Sequence, residues 1–302
     1  MRVRFFKSGY CTSHSKVVDP RTSFVEIPFS AVWALIDLPD GGFAMVDTGY
    51  TEHFITATKP FPDRFYRWIT PIQLQPEETP LAILKRLNIA VDEIRWIVIS
   101  HFHGDHIAGL KDFPKAQFIC TASALEEVNR YKGFRAVKRG ILHGLIPRDF
   151  VERVHTFEAM AAKQFTDKYG LQRYEWEITP EISWVLLPGH ARGMIGFEFT
   201  QESRTMLYAT DAAWSHIAFS DHVLPMPIVK IFIDSMSAME NTWNCLHAWQ
   251  KDHPNGEIFF THCPKTKQLI TRSGKKTAIC PYHKLVHLDA SRQFRVNSSC
   301  ED

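Results

Sequence analysis

His101, His103, Asp105 and His106 crowd into one short stretch, Ser100-His101-Phe102-His103-Gly104-Asp105-His106. Imidazole nitrogen and carboxylate oxygen are the ligands that suit zinc and similar divalent metals. His101 and His103, two apart on an extended turn, can converge on one ion, and Asp105 and His106, just beyond, can serve a second. A plainer reading makes Asp105 the N-cap of a helix starting at Ile107-Ala108-Gly109-Leu110 and the histidines polar loop residues, but capping accounts for only one residue of the four. The preceding run, Ile94-Arg95-Trp96-Ile97-Val98-Ile99, has the β-branched and aromatic content of a buried strand. Such a strand delivers the cluster to its C-terminal end, where ligand crevices form in α/β sheets.

Other elements must hold this strand in place. Segments 31–36 and 42–46 read as strands around Pro39-Asp40-Gly41, whose Asp-Gly step signals a hairpin. Segments 117–120, 182–187, 197–199, 206–209 and 258–262 are further strands, and 77–87 is a helix with Leu81, Leu84 and Leu87 on one side. Ser123, with Glu126 three residues on, has the form of a capping box. Residues 54–74 are rich in aromatics but too broken by proline for one helix, and serve either as a pocket wall or as a satellite core. The stretch 131–174 mixes apolar and basic residues as amphipathic helices do, suiting a cap over the site, a dimer surface or added core. Met236, Met239, Trp243, Leu246 and Trp249 form a helical stripe that belongs to the core.

The signature His-Phe-His-Gly-Asp-His resembles the HxHxDH motif of the metallo-β-lactamase fold superfamily. The resemblance continues in order through Val46-Asp47-Thr48-Gly49, Leu187-Pro188-Gly189-His190, Tyr208-Ala209-Thr210-Asp211 and Phe259-Phe260-Thr261-His262. It implies an α/β fold of the αββα sandwich type, two mixed β-sheets flanked by helices, with a helical insertion at about 123–175. One hydrolase domain is expected over 1–263 and a C-terminal extension over 264–302. The resemblance also implies two divalent ions, zinc first, with manganese, iron or cobalt tolerated. His101, His103 and His190 would hold one ion, and Asp105, His106 and His262 the other. Asp211 and a hydroxide would bridge them. Asp47 would orient a ligating histidine, and Asp105 would also shuttle a proton to the leaving group.

The implied reaction is metal-assisted hydrolysis of an ester, lactone, thioester or amide. Gly104, where the flavodiiron branch carries a glutamate, disfavours redox chemistry, and Asp211 argues against an antibiotic hydrolase. The motif contexts look most like N-acyl-homoserine lactonases. Those enzymes place a tyrosine three residues after the bridging aspartate; this chain has Trp214, whose indole donates but cannot accept. A glyoxalase-II-like thioesterase, an arylesterase and a metal-containing binding protein are the alternatives. Phe102, Trp214, Phe219 and Met226 are candidate substrate contacts.

The 302 residues, 45% hydrophobic, suffice for one large domain. A net charge of +2 from 35 basic and 33 acidic residues offers no footprint for nucleic acid, so the expected partner is a small ester or lactone. Six scattered cysteines form no pairing framework, which fits a reducing, cytoplasmic setting. No signal-peptide or membrane-spanning run is evident, and a homodimer is one expected assembly. Cys263 with Cys280, His283 and His287 matches no trusted zinc spacing.

Overall fold

Two long strands, β1 (Val3–His14) and β2 (Glu26–Asp37), open the chain in the computed structural model, which describes residues 1–273. Alternation along β2 sends Val32, Ala34 and Ile36 to one face and Ala31, Trp33 and Leu35 to the other, and both faces are buried. A strand apolar on both sides must lie in an inner layer covered twice.

The first sheet is completed by β3 (Phe43–Val46), β4 (Ile72–Gln73), β5 (Ile94–Val98), β6 (Gln117–Cys120) and β7 (Val154–Thr156), in the order β4-β1-β2-β3-β5-β6-β7. The β2–β3 pair is the antiparallel hairpin expected around Asp40-Gly41, while β3, β5, β6 and β7 run parallel. The second sheet contains β8 (Lys163–Thr166), β9 (Gln172–Glu175), β10 (Ser183–Leu186), β11 (Ile195–Gln201), β12 (Arg204–Tyr208) and β13 (Glu257–Phe259), in the order β13-β12-β11-β10-β9-β8. Only its β12–β13 pair is parallel. Phe5, Ile36, Trp184, Phe197 and Tyr208 fill the space between the sheets. Separate apolar layers cover the outer faces, so the αββα sandwich expected from the sequence is the observed architecture.

Three local expectations are refined. The helix Ala122–Arg130 is capped by Thr121, whose hydroxyl accepts from Ala124 N–H, rather than by Ser123, and Glu126 turns outward to Arg192. Thr121, just after β6, has extended backbone, the geometry an N-cap needs, whereas Ser123 is already inside the first turn. The stretch 131–174 is helical only in short pieces. Its second half forms the β8–β9 hairpin, because Lys163-Gln164-Phe165-Thr166 and Gln172-Arg173-Tyr174-Glu175 pair residue for residue at the sheet edge. Residues 54–74 serve both suggested roles: Phe54 is core, while Tyr66, Ile69 and Thr70 face a cavity.

The helix Lys267–Ser273 docks Leu269 and Ile270 onto the inter-sheet core. Cys280, His283 and His287 lie outside the described residues. Cys11, Cys120, Cys245 and Cys263 are free thiols, and among the described residues no helix is long and apolar enough to cross a membrane.

Candidate metal centre

Every residue of the centre follows the C-terminal end of a strand or a turn leaving one: Asp47 after β3, the histidine cluster after β5, His190 after β10, Asp211 after β12 and His262 after β13. The two sheets therefore aim five loops at one place. Asp47 and Thr210, at the ends of their strands, take left-handed backbone with φ of 61° and 44°. Non-glycine residues hold that conformation only when the surroundings enforce it. Gly189 has φ of 136°, and a Cβ there would meet the Met239 backbone nitrogen at 2.4 Å, so the turn that presents His190 admits no side chain.

Two clusters result. His101, His103 and His190 form one, and Asp105, His106, Asp211 and His262 the other; within each, one ligand atom per residue lies within 4.8 Å of the rest. Asp211 links them, with Oδ2 at 3.0 Å from His262 Nε2 and 3.3 Å from His190 Nε2. His262 donates from Nδ1 to the Ser30 carbonyl, and His106 donates from Nδ1 to Asp47, so Nε2 of each ring faces inward. Asp47 also accepts from Ser100 N–H and Oγ–H, at 2.8 and 2.7 Å. His103 is hydrogen-bonded to the Arg139 backbone, and its Nδ1 lies 2.9 Å from His190 Nε2.

The electrostatics divide the clusters. Burial, reinforced by mutual repulsion, pushes His101 well below the usual imidazole range; His103 falls to about 4 and His190 to about 3. Burial also opposes charge on His106 and His262, but the neighbouring carboxylates outweigh it and raise both. Burial would raise Asp105, yet His106 and His262 hold it at about 2, and Asp211 is likewise held well below its usual range. Burial thus disfavours charge on the three rings of one cluster, whereas in the other the carboxylate pair favours charge on its two rings.

These residues fit divalent metal. His101 Nε2, His106 Nε2 and Asp211 Oδ1 are buried with no hydrogen-bond partner, an arrangement that is costly unless a cation completes it. Nitrogen-rich and carboxylate-containing clusters side by side match zinc and its neighbours in ligand preference.

A cavity of about 320 Å³ opens over the centre. His103, Asp105, His190, Asp211 and His262 form its floor, while Phe29, Trp214, Ile228, Val229, Phe232 and Ile233 make much of its wall. Of the four suggested substrate contacts, only Trp214 lies on that wall. Phe102 is 4% exposed and meets Phe150 edge-on in the helix-covered core. Phe219 stacks on His247 at 4.2 Å, against Trp243 and Phe260. Met226 is half-buried and is not part of the lining, although its backbone N–H bonds to the carbonyl of Val17, which is. Phe102 and Phe219 are apolar residues drawn into packing.

Sequence reasoning missed the tyrosines. Tyr50 and Tyr66 are buried on the cavity wall beside Asp105. The Tyr66 hydroxyl accepts from Gly104 N–H, at 3.2 Å, inside the histidine signature. Gly140 was missed too: with φ of 71°, it lies so close that a Cβ would be 2.2 Å from the His103 ring. The aromatic run 54–74 and the glycine after a short helix were the available signals.

The N-acyl homoserine lactonase of Bacillus thuringiensis subsp. kurstaki is 24% identical over 226 residues, 74% of this chain and 80% of that one. That of Bacillus cereus is 22% identical over 262 residues, 86% and 92% of the two chains. An N-acyl homoserine lactone hydrolase with N-hexanoyl-L-homoserine at its catalytic metal centre superposes with a TM-score of 0.68 at 18% identity, covering 88% of this chain and 94% of that one. A dizinc quorum-quenching lactonase in complex with a product gives 0.56 at 14% identity, covering 87% of each. The metallo-beta-lactamase superfamily profile matches residues 27–242, and with that span of the chain accounted for, the protein belongs to this superfamily.

Proposed function

We propose that this protein is a dinuclear metal-dependent hydrolase that opens N-acyl homoserine lactones. The observation that carries this reading is the pair of adjoining ligand clusters beneath an apolar cavity. His101, His103 and His190 would hold one ion and Asp105, His106 and His262 the other, with Asp211 between them; zinc suits the donor set best. When bound, the ions supply a water of low pKa and a Lewis acid for the ester carbonyl.

The chain's own residues do the rest. Ile228, Val229, Phe232 and Ile233 offer an acyl chain an apolar wall and exclude water from it. Asp105 borders both the centre and the cavity, and its carboxylate would take the proton given up by the attacking water and pass it to the departing alkoxide. Tyr66, its acceptor capacity directed to Gly104, has an O–H with no acceptor among the described residues. Burial and the nearby Asp105 push its pKa up, so it remains a donor for an oxygen gaining charge in the ester.

Among the described residues the lining contains neither lysine nor arginine, which weighs against a glutathione thioester. Trp214, whose ring lies 6.1 Å from that of Phe29, makes an aryl ester the second reading. The unpaired thiols suit action in the cytoplasm.

The test is hydrolysis of N-acyl-homoserine lactones of graded acyl length by the metal-loaded protein, with acid release and product mass measured beside a chelated sample. Metal-dependent ring opening sensitive to acyl length is expected. A metal-replete protein that leaves every lactone closed but cleaves aryl esters would transfer the assignment to the second reading.

A further inference from the structure

The outer side of the cavity wall carries a surface that the hydrolytic centre does not use. Phe61, Trp68 and Phe134 are 67, 63 and 57% exposed, yet they are joined into one aromatic cluster through the half-buried Phe65. Ring centroids lie 5.5 Å apart for Phe61–Phe65 and Phe65–Phe134, and 5.0 Å apart for Phe65–Trp68. Exposed aromatics grouped in this way mark an interaction surface more often than chance packing.

Charge identifies the partner. Residues 59–69 and 130–140 contain one carboxylate, Asp63, which is half-buried. Against it stand the exposed Lys59, Arg64, Arg130, Lys132, Arg135 and Lys138, none in an ion pair with a described residue. Cations elsewhere on this near-neutral chain are commonly paired, as Arg95 is with Asp40 and Arg192 with Glu126. A second copy docking through the same face would set these cations against one another.

We propose that this cationic, aromatic face adsorbs to an anionic lipid surface. Aromatic rings seat at the boundary between headgroup and acyl chain, and each cation near the charged headgroups strengthens partitioning by about fivefold. The same two segments contribute Tyr66, Ile69, Val137 and Gly140 to the cavity lining, so the docked face backs directly onto the acyl site. Adsorption of this kind needs no spanning helix, and it holds whichever ester the centre cleaves.

The experiment is co-sedimentation of the full chain with vesicles of phosphatidylcholine alone and of phosphatidylcholine mixed with phosphatidylglycerol, at low and high salt. Binding to the anionic vesicles only, released by salt, is expected. The triple variant Arg64→Glu/Arg135→Glu/Lys138→Glu should weaken it by 100-fold or more (, about fivefold or more per charge), and Trp68→Ser should weaken it by several-fold. Quenching by brominated lipid, seen in the wild type and reduced in Trp68→Phe, places the face at the bilayer without relying on the charge variant's folding. Equal binding to neutral vesicles, preference for a short oligonucleotide over anionic lipid, or self-association abolished by Trp68→Ser would each overturn the proposal.

Discussion

His106 donates its Nδ1–H to Asp47 Oδ2 across 2.7 Å, and neither side chain is reached by solvent. The contact fixes the tautomer, so Nε2, buried and unpartnered, is the atom turned to the centre. Asp47 holds Ser100 by two further hydrogen bonds, joining the end of β3 to the start of the histidine cluster.

Asp47→Ala therefore removes an orienting acceptor without removing a ligand. The expected outcome is a 10- to 100-fold loss of metal affinity, with activity restored by excess metal. Titration against a chelator buffer measures it. Unchanged affinity would show that His106 is positioned by packing alone.

Gly140→Ala should damage the other cluster. A methyl group there overlaps the His103 ring, and φ of 71° disfavours any L side chain. Stability should fall by about 1–3 kcal/mol, and metal content per chain, read by native mass spectrometry, should drop by one ion.

Tyr66→Phe keeps the ring, edge-on to Phe54, and deletes only the hydroxyl. If that hydroxyl stabilises developing charge, kcat falls by about 100-fold with little change in KM. Fluorotyrosines at position 66, with progressively more acidic phenols, should raise kcat, a trend that mere support of Gly104 N–H does not produce.

Metal binding should release protons unequally. In the metal-free protein the surrounding carboxylates raise His106 and His262 and favour their protonated forms, whereas burial lowers His101, His103 and His190 and favours their neutral forms. Calorimetry in buffers of different ionisation enthalpy should show proton release on filling the carboxylate-containing cluster and almost none on filling the other.

Acid should destabilise the metal-free protein. His103 and His190 titrate near 4 and 3 when folded but near 6.5 when unfolded, so the unfolded chain binds more protons between those values. Their contribution is complete above about pH 6.5 and is lost progressively as pH falls through 4 and 3. His106 and His262 act with the opposite sign: their raised folded values stabilise below the unfolded value, and that gain is lost as pH rises through the folded ones. Thermal unfolding between pH 4 and 9 should give a maximum, and chelator should leave its shape unchanged in protein already free of metal.

The sequence by itself determined the elements and the motifs that end them. Alternation in β2, the Asp-Gly hairpin and the apolar run before His101 are local patterns, and local sterics and burial decide them. The histidines and aspartates were legible because metal-ligand types are rare in such density. Only the tertiary structure decided which of the apolar residues face the cavity: Phe102 and Phe219 went to the core and Trp214 to the wall. It also brought Tyr66, Arg139 and Gly140 against the signature, contacts between segments far apart in the chain. Side-chain chemistry is written residue by residue, but the direction in which a side chain points depends on how two sheets and their loops close around the same space.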